Sequence, residues 1–236
     1  GRNGGISQFQ LSGGGAAPVL IDTHWHQRST LATGEFSLTE IGGDPALLQH
    51  DTTGGRLLSY APDVNGNLGT QQQQSLPGGI NALEDLTGAR LGTGTELIYG
   101  VSASGRLTGW RVAQNGTLEA RVATSGAAEA FQLPETAALT VSEAARLLFV
   151  ADGGLQGVQS YRINAQTGAL TAADHFGAED GLPVADPSAL QSFQAYGATW
   201  LALAAAGPVP VAEQVRALGG AEAVADLERR ARAWAQ

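Results

Sequence analysis

The chain has 236 residues, of which 43% are hydrophobic and 15% charged, a balance that excludes an intrinsically disordered chain. Its net charge of −9 argues against binding to nucleic acid or to an anionic membrane surface. The absence of cysteine excludes disulfides and thiolate metal ligands, and the 33 glycines indicate many tight turns. The longest apolar stretch, residues 199–211, is too short and too interrupted to span a bilayer.

Two series of short motifs recur along the chain at intervals of about 50 residues. The first consists of aromatic residues, separated by 51, 50 and 51 positions, each near the end of an extended segment: Phe9, Tyr60, Trp110 and Tyr161. The second consists of apolar runs at residues 46–50, 97–101, 147–151 and 200–204. Glycine-containing turns follow the aromatic residues, as in Gln114-Asn-Gly116 and Gln166-Thr-Gly168. Two series in register predict a structural repeat.

Each repeat unit is predicted to contain four short antiparallel strands. In chain order, the predicted first strands lie within residues 30–41, 81–86, 135–141 and 188–193, and the apolar runs form the second strands. The aromatic residues mark the third strands, and the fourth strands follow the turns, as at residues 118–122 and 170–174. Four antiparallel strands in about 50 residues are typical of a β-propeller blade. We therefore predict an all-β fold with propeller blades over residues 1–207 and a short C-terminal α-helical tail over residues 208–236.

The segment LLFVADGGLQGVQSYRINAQTGALT, residues 147–171, resembles the blades of lactonase-like propellers. It is also similar to the propeller repeats that precede calcium-binding glycine-rich (RTX) arrays in secreted bacterial proteins. The resemblance covers roughly residues 6–207 and implies a propeller in an extracellular, cell-surface or periplasmic protein. No lactonase catalytic residue can be matched to a position here, and the nonapeptide calcium motif is absent.

The repeat predicts half a blade, then three full blades, then another half. The two halves could pair as a closing blade and form a small four-bladed ring. Alternatively, the chain is part of a ring of seven or eight blades that further sequence or a second copy completes. An incomplete ring leaves unpaired strand edges, which favour association with other chains.

The strand pattern ends at Pro208 and Pro210, where the predicted tail begins. Helices are predicted over residues 211–218 and 221–234. One helical face carries four apolar residues, Val224, Leu227, Ala231 and Trp234. This face could pack on the propeller itself, or it could bind a protein partner or a second copy.

The strongest metal-site pattern is His24-Trp25-His26. On a strand, both imidazoles and the carboxylate of Asp22 would share one face, as a three-ligand metal site requires. The segment Asp63–Asn67 has the acidic start of a calcium loop but lacks its glycine and distal glutamate, so a hairpin turn is predicted there. Five acidic residues are predicted to lie in loops, where they could bind a cation at a face of the ring or simply form solvated turns: Glu84, Asp85, Glu179, Asp180 and Asp186. No cofactor is expected, apart from calcium as an alternative.

Because no convergent catalytic set is visible, we expect a non-catalytic module for binding, adhesion or assembly. One alternative is a lactonase-like hydrolase, in which residues such as His24, His26, Asp152 and Asp186 converge at one face of the ring. A second alternative is a structural subunit joined to a larger particle through its tail. The expected partners are a protein, a second copy or a glycan.

Overall fold

The computed structural model describes residues 5–11, 20–27, 33–51, 55–63, 67–77, 83–92, 94–102, 106–122, 137–153, 157–177, 180–181, 184 and 186–205. The described residues form sixteen strands: β1 (Gly5–Leu11), β2 (Leu20–Gln27), β3 (Thr33–Ile41), β4 (Asp44–Asp51), β5 (Arg56–Pro62), β6 (Leu68–Ser75), β7 (Leu83–Arg90), β8 (Glu96–Ser102), β9 (Leu107–Val112), β10 (Leu118–Val122), β11 (Ala137–Ser142), β12 (Leu147–Asp152), β13 (Gly157–Ile163), β14 (Leu170–Gly177), β15 (Pro187–Ala195) and β16 (Ala198–Ala205).

The strands form three four-stranded antiparallel sheets and two two-stranded sheets. Blade 1 is β3–β6, blade 2 is β7–β10 and blade 3 is β11–β14, and in each blade the strands pair in chain order. The N-terminal half-blade is β1–β2, and the C-terminal half-blade is β15–β16. The predicted four-stranded antiparallel sheets are therefore confirmed.

The second strand of each full blade lies inside its sheet and is flanked by neighbours on both sides. Every residue of β8 is buried, and so is β4 from Ala46 onward. This burial on both faces explains why these strands read as continuous apolar runs instead of alternating patterns. In contrast, β16 is at best half-buried throughout, because it belongs to the terminal half-blade.

Tight turns join the third and fourth strands of blades 2 and 3. Gly116 and Gly168 occupy equivalent positions in these turns with φ values of 83° and 73°, which favour glycine. The Asn115 side chain accepts a hydrogen bond from the Thr117 amide at 3.1 Å, and Asn164 accepts one from the Gln166 amide at 3.0 Å. These are the glycine turns that the repeat predicted.

The hydrophobic core lies between successive blades. Leu97 and Tyr99 of blade 2 belong to one buried cluster with Leu148 and Tyr161 of blade 3. A second cluster joins blades 1 and 2 and includes the fully buried Trp110. Burial of one such aliphatic or aromatic side chain contributes about 1.5–3 kcal/mol, so the blade interfaces dominate stability.

The described strands do not close into a ring. Each terminal half-blade pairs only within itself, so β16 has no described neighbour beyond β15 and β1 has none beyond β2. The predicted helical tail lies outside the described residues. No helix in the described part of the chain is long and apolar enough to cross a membrane.

Candidate functional site

The first strands of successive blades surround a cavity, which we call the channel. Strands β3, β7, β11 and β15 follow one another side by side, and all four line this cavity of about 760 Å³. In a propeller the first strand of each blade lies nearest the axis, so the cavity is at the position of a central channel. Its size is within the range of sites for small molecules.

Polar contacts hold adjacent walls of the channel together. The Gly88 amide of β7 donates to the Ser37 hydroxyl of β3 at 3.3 Å. Between β11 and β15, the Ser192 amide donates to Thr140 Oγ1 at 3.0 Å, and the Ser192 hydroxyl donates to the Val141 carbonyl at 2.7 Å. These contacts satisfy backbone groups that face the neighbouring blade instead of a paired strand.

Asp85 joins β7 to β11. Its Oδ1 accepts a hydrogen bond from the Leu86 amide at 2.7 Å, and its Oδ2 accepts one from the Leu139 amide at 2.6 Å. Both carboxylate oxygens are therefore engaged with backbone amides. The geometry gives Asp85 a structural role in the channel wall.

Glu84 lies at a β-bulge in the channel wall. Leu83 pairs with Ser102, whereas Asp85 pairs with Val101, so Glu84 has no opposite residue in the ladder. Its side chain is exposed, lines the channel and has no hydrogen-bond or ion-pair partner among the described residues. Bulges redirect a side chain and are frequent next to active sites. The predicted loop position of Glu84 and Asp85 is wrong, because both residues lie within strand β7.

The channel is acidic along its described lining. Glu84, Asp85 and Glu143 contribute carboxylates, and no Arg, Lys or His lies among the described lining residues. One Glu143 oxygen accepts a hydrogen bond from the Arg90 amide at 2.6 Å. A negative lining attracts cations and repels anions, so this channel favours uncharged or cationic ligands.

His50 is a fully buried histidine behind the start of β7. Its Nδ1 accepts a long hydrogen bond of 3.4 Å from the Leu83 amide, next to Glu84, and its Nε2 has no partner among the described residues. Burial lowers the pKa of His50, although nearby Asp51 acts in the opposite direction. Burial therefore favours the neutral form of His50. Sequence reasoning placed it in an apolar run and missed it.

The predicted metal ligands Asp22, His24 and His26 lie on β2. Their backbone partners on β1 are Gln10, Gln8 and Ile6, so the three predicted ligands lie at every second position of the strand. The structure describes the backbone of these three residues but not their side chains, so the metal site stays a prediction. The tail residues Val224, Leu227, Ala231 and Trp234 also lie outside the described part of the chain.

The hydrolase alternative predicts that several of His24, His26, Asp152 and Asp186 converge at one face of the ring. Asp152 ends β12 and is buried, and the adjacent Gly153 lies close to Asp186, since a Cβ built on Gly153 would be 3.4 Å from the Asp186 amide nitrogen. Asp152 is thus near Asp186, which lies immediately before β15. Among the described residues, no group of three or more His, Asp or Glu side chains could hold a metal ion.

No protein-family model matches the chain, and no curated protein matches it. One similar solved structure is described as a "putative 6-phosphogluconolactonase" from Bacteroides fragilis, with 15% identity, a TM-score of 0.56, and coverage of 85% of this chain and 57% of that chain. Another, from Bacteroides uniformis and described in the same words, has 15% identity, a TM-score of 0.54 and the same coverage of 85% and 57%.

These likenesses support the assignment of the four-stranded sheets as blades of the β-propeller type. The chain spans little more than half the length of both proteins. At this level of identity the likeness concerns the fold alone. It agrees with the resemblance to lactonase-like blades, whereas the resemblance to RTX-associated repeats stays a prediction.

Proposed function

We propose that this chain supplies part of the channel of a lactonase-like hydrolase that acts on uncharged or cationic lactones or esters. The single observation that carries the proposal is Glu84, an exposed carboxylate that a β-bulge presents to the channel. The likeness to two structures described as lactonases supports the hydrolase alternative over a non-catalytic module.

Glu84 has the chemistry of a general base. Its carboxylate can take a proton from a water molecule in the channel while the water oxygen attacks the lactone carbonyl carbon. The ring C–O bond then breaks, the leaving alkoxide takes up the proton, and a hydroxy acid is released. General-base catalysis of this kind typically contributes 10²–10⁴-fold.

The acidic lining restricts the substrate. A phosphorylated lactone would bring negative charge next to Glu84, Asp85 and Glu143, with no cation among the described lining residues to balance it. Repulsion between two unit charges 4 Å apart amounts to about 1 kcal/mol in water and to more in a partly buried site. The substrate named for the two neighbouring structures is therefore disfavoured here.

The test compares lactone hydrolysis by the wild type with that by Glu84→Gln, which keeps the size of the side chain and removes the base. A panel of uncharged, cationic and phosphorylated lactones covers the substrate class. We expect kcat to fall by about 10²–10⁴-fold in Glu84→Gln. Glu119→Gln is the matched control, because Glu119 is also exposed but lies on the fourth strand of blade 2. Equal rates for the two variants would refute the assignment.

The second candidate is binding without turnover, as a module for adhesion, assembly or glycan recognition. It is favoured by the engagement of Asp85 with two backbone amides, which leaves Glu84 without a second catalytic carboxylate beside it. Calorimetric binding of an uncharged saccharide or lactone with no hydrolysis would support this candidate. An extracellular or cell-surface location is proposed for either function.

A further inference from the structure

The outer edge of blade 1 differs from the outer edges of blades 2 and 3. In each full blade the fourth strand pairs with only one described strand, so its other side presents unpaired backbone N–H and C=O groups. Proteins usually protect such an edge with a short strand, with charged side chains or with a β-bulge, because an open edge attracts another strand. The three edges to compare are β6, β10 and β14.

Strands β10 and β14 carry these protections. Strand β10 has only five residues, includes Glu119 and Arg121, and has a bulge between Leu118 and Arg121 in its pairing with β9. Strand β14 has eight residues, but Asp174 and His175 lie beside the bulge that interrupts its pairing with β13. Both edges therefore resist the addition of a further strand.

Strand β6 lacks these protections over Gln71–Ser75. Its eight residues, LGTQQQQS, include no charged side chain. Its register shift lies beyond Tyr60 of β5, and the pairing of Gln71–Ser75 with that strand is continuous. The described outer edge of β6 is thus an unprotected and regular template for one more strand.

Two glutamine side chains hold this edge in place. Gln74 Nε2 donates to the Gly116 carbonyl at 2.8 Å, and Gln74 Oε1 accepts a hydrogen bond from the Leu118 amide at 2.7 Å, which joins β6 to blade 2. Gln73 Oε1 accepts a hydrogen bond from Arg56 Nη1 at 2.9 Å. An edge that is already ordered loses little conformational entropy when a strand is added to it.

A small cleft lies beside β6, between blade 1 and the turn of blade 2 that contains Gly116. Its volume of about 240 Å³ is below the range of about 300–1,000 Å³ that is typical of small-molecule sites, and it suits a single side chain. Gln72 forms the wall on the β6 side, where its Oε1 lies 3.5 Å from the position of a Cβ built on Gly116. A long side chain from a strand added next to Gln72 reaches this cleft, because opposite Cβ atoms in antiparallel strands are about 4.5–5.5 Å apart.

Asp44 gives the cleft its charge. Among the described residues it is the only charged one that lines the cleft, and its exposed carboxylate has no hydrogen-bond or ion-pair partner there. Ile41 and Ala46 supply an apolar wall. Arginine matches this lining, because its apolar stem packs on aliphatic side chains while its guanidinium donates hydrogen bonds to a carboxylate.

We propose that the outer edge of β6 binds an extended segment of a partner protein as a fifth strand of blade 1, with an arginine of that segment in the cleft beside Asp44. Backbone hydrogen bonds along Gln71–Ser75 hold the segment, and the arginine gives specificity. The net charge of −9 also favours a basic partner over an acidic one. This binding does not depend on the proposed hydrolysis.

Selection from a phage-displayed library of random nonapeptides tests the proposal. We expect enrichment of peptides in which one arginine is flanked by uncharged residues, and a selected peptide should slow hydrogen exchange at the amides of Gln71–Ser75 but not at those of β10 and β14. No enrichment, enriched peptides without arginine, or protection elsewhere in the chain would overturn the proposal. Protection of Gln71–Ser75 that develops without peptide as the protein concentration rises would assign the edge to a second copy, which also overturns it.

Asp44→Asn tests the cleft separately, because it keeps the size of the side chain and removes its charge. The dissociation constant of the selected peptide should rise about fivefold, whereas that of the same peptide with glutamine in place of arginine should not change. Glu119→Gln is the matched control, since Glu119 is an exposed carboxylate on β10 outside the cleft. Fluorescence of the buried Trp110 reports whether each variant is folded. Equal affinities of the wild type and a folded Asp44→Asn variant would contradict an arginine beside Asp44.

Discussion

Glu96 connects blade 2 to the first turn of blade 1. Its carboxylate accepts hydrogen bonds from the consecutive amides of Gly42 and Gly43 at 2.8 and 3.1 Å, and it is only 6% exposed. Both glycines have positive φ, at 64° and 91°, so their N–H groups point to the same side and form an anion-binding nest. We predict that Glu96→Ala removes both hydrogen bonds to the glycine amides and destabilises the protein.

The expected loss of stability follows from the two hydrogen bonds that Glu96 accepts. Each hydrogen bond to a charged acceptor contributes about 1.5–3 kcal/mol, and the lower value applies because the exposed glycine amides regain water when Glu96 is removed. The free energy of unfolding should therefore fall by about 3 kcal/mol, which corresponds to a decrease in Tm of about 6–12 °C for a chain of this size.

Urea and thermal unfolding, followed by Trp110 fluorescence, measure this change. Glu96→Gln keeps one acceptor oxygen, so its loss should be about half that of Glu96→Ala. Glu119→Ala serves as the control, because Glu119 is exposed and has no hydrogen-bond or ion-pair partner among the described residues. A loss below about 0.5 kcal/mol in Glu96→Ala, the range of ordinary surface substitutions, would mean that the contact between Glu96 and the two glycine amides does not stabilise the protein.

Two further residues give predictions on stability. Tyr99 is fully buried and its hydroxyl donates to the Gly168 carbonyl at 2.6 Å, so Tyr99→Phe should lower the free energy of unfolding by about 1–2 kcal/mol in urea titrations; no change would mean that the carbonyl finds another donor. The pKa of His50 is lowered from 6.5, so the unfolded chain binds the proton first as the pH falls. The free energy of unfolding should then decrease as the pH falls below 6.5 and level off below the folded pKa. This decrease should be smaller in His50→Gln, and an unchanged pH profile in that variant would contradict the assignment.

The strands inside the blades could be predicted from the sequence because their environment repeats. Tyr60, Trp110 and Tyr161 each lie in a third strand, are almost fully buried and recur at intervals of 50 and 51 residues, since successive interior blades pack on one another in the same way. The fourth strand of blade 2 also begins and ends where it was predicted, at Leu118 and Val122.

The first strands and the site could be predicted only in part. The predicted strand over 81–86 is Leu83–Arg90 in the structure, and the bulge at Glu84 depends on its register with β8, which no local pattern encodes. Phe36 is 66% exposed, and no local pattern distinguishes it from an aromatic residue of the core. His50 is polar within an apolar run, and only its burial distinguishes it from an exposed residue.

An acidic channel with Glu84 at its wall is proposed to act on ligands without negative charge. The most direct test is the ratio of kcat/KM for an uncharged lactone to that for its phosphorylated form, measured in the wild type and in Glu84→Gln at low and at high salt. We predict a ratio above one that decreases when Glu84 is neutralised and when salt screens the remaining carboxylates. A wild-type preference for the phosphorylated lactone would contradict the proposed selection against negative charge.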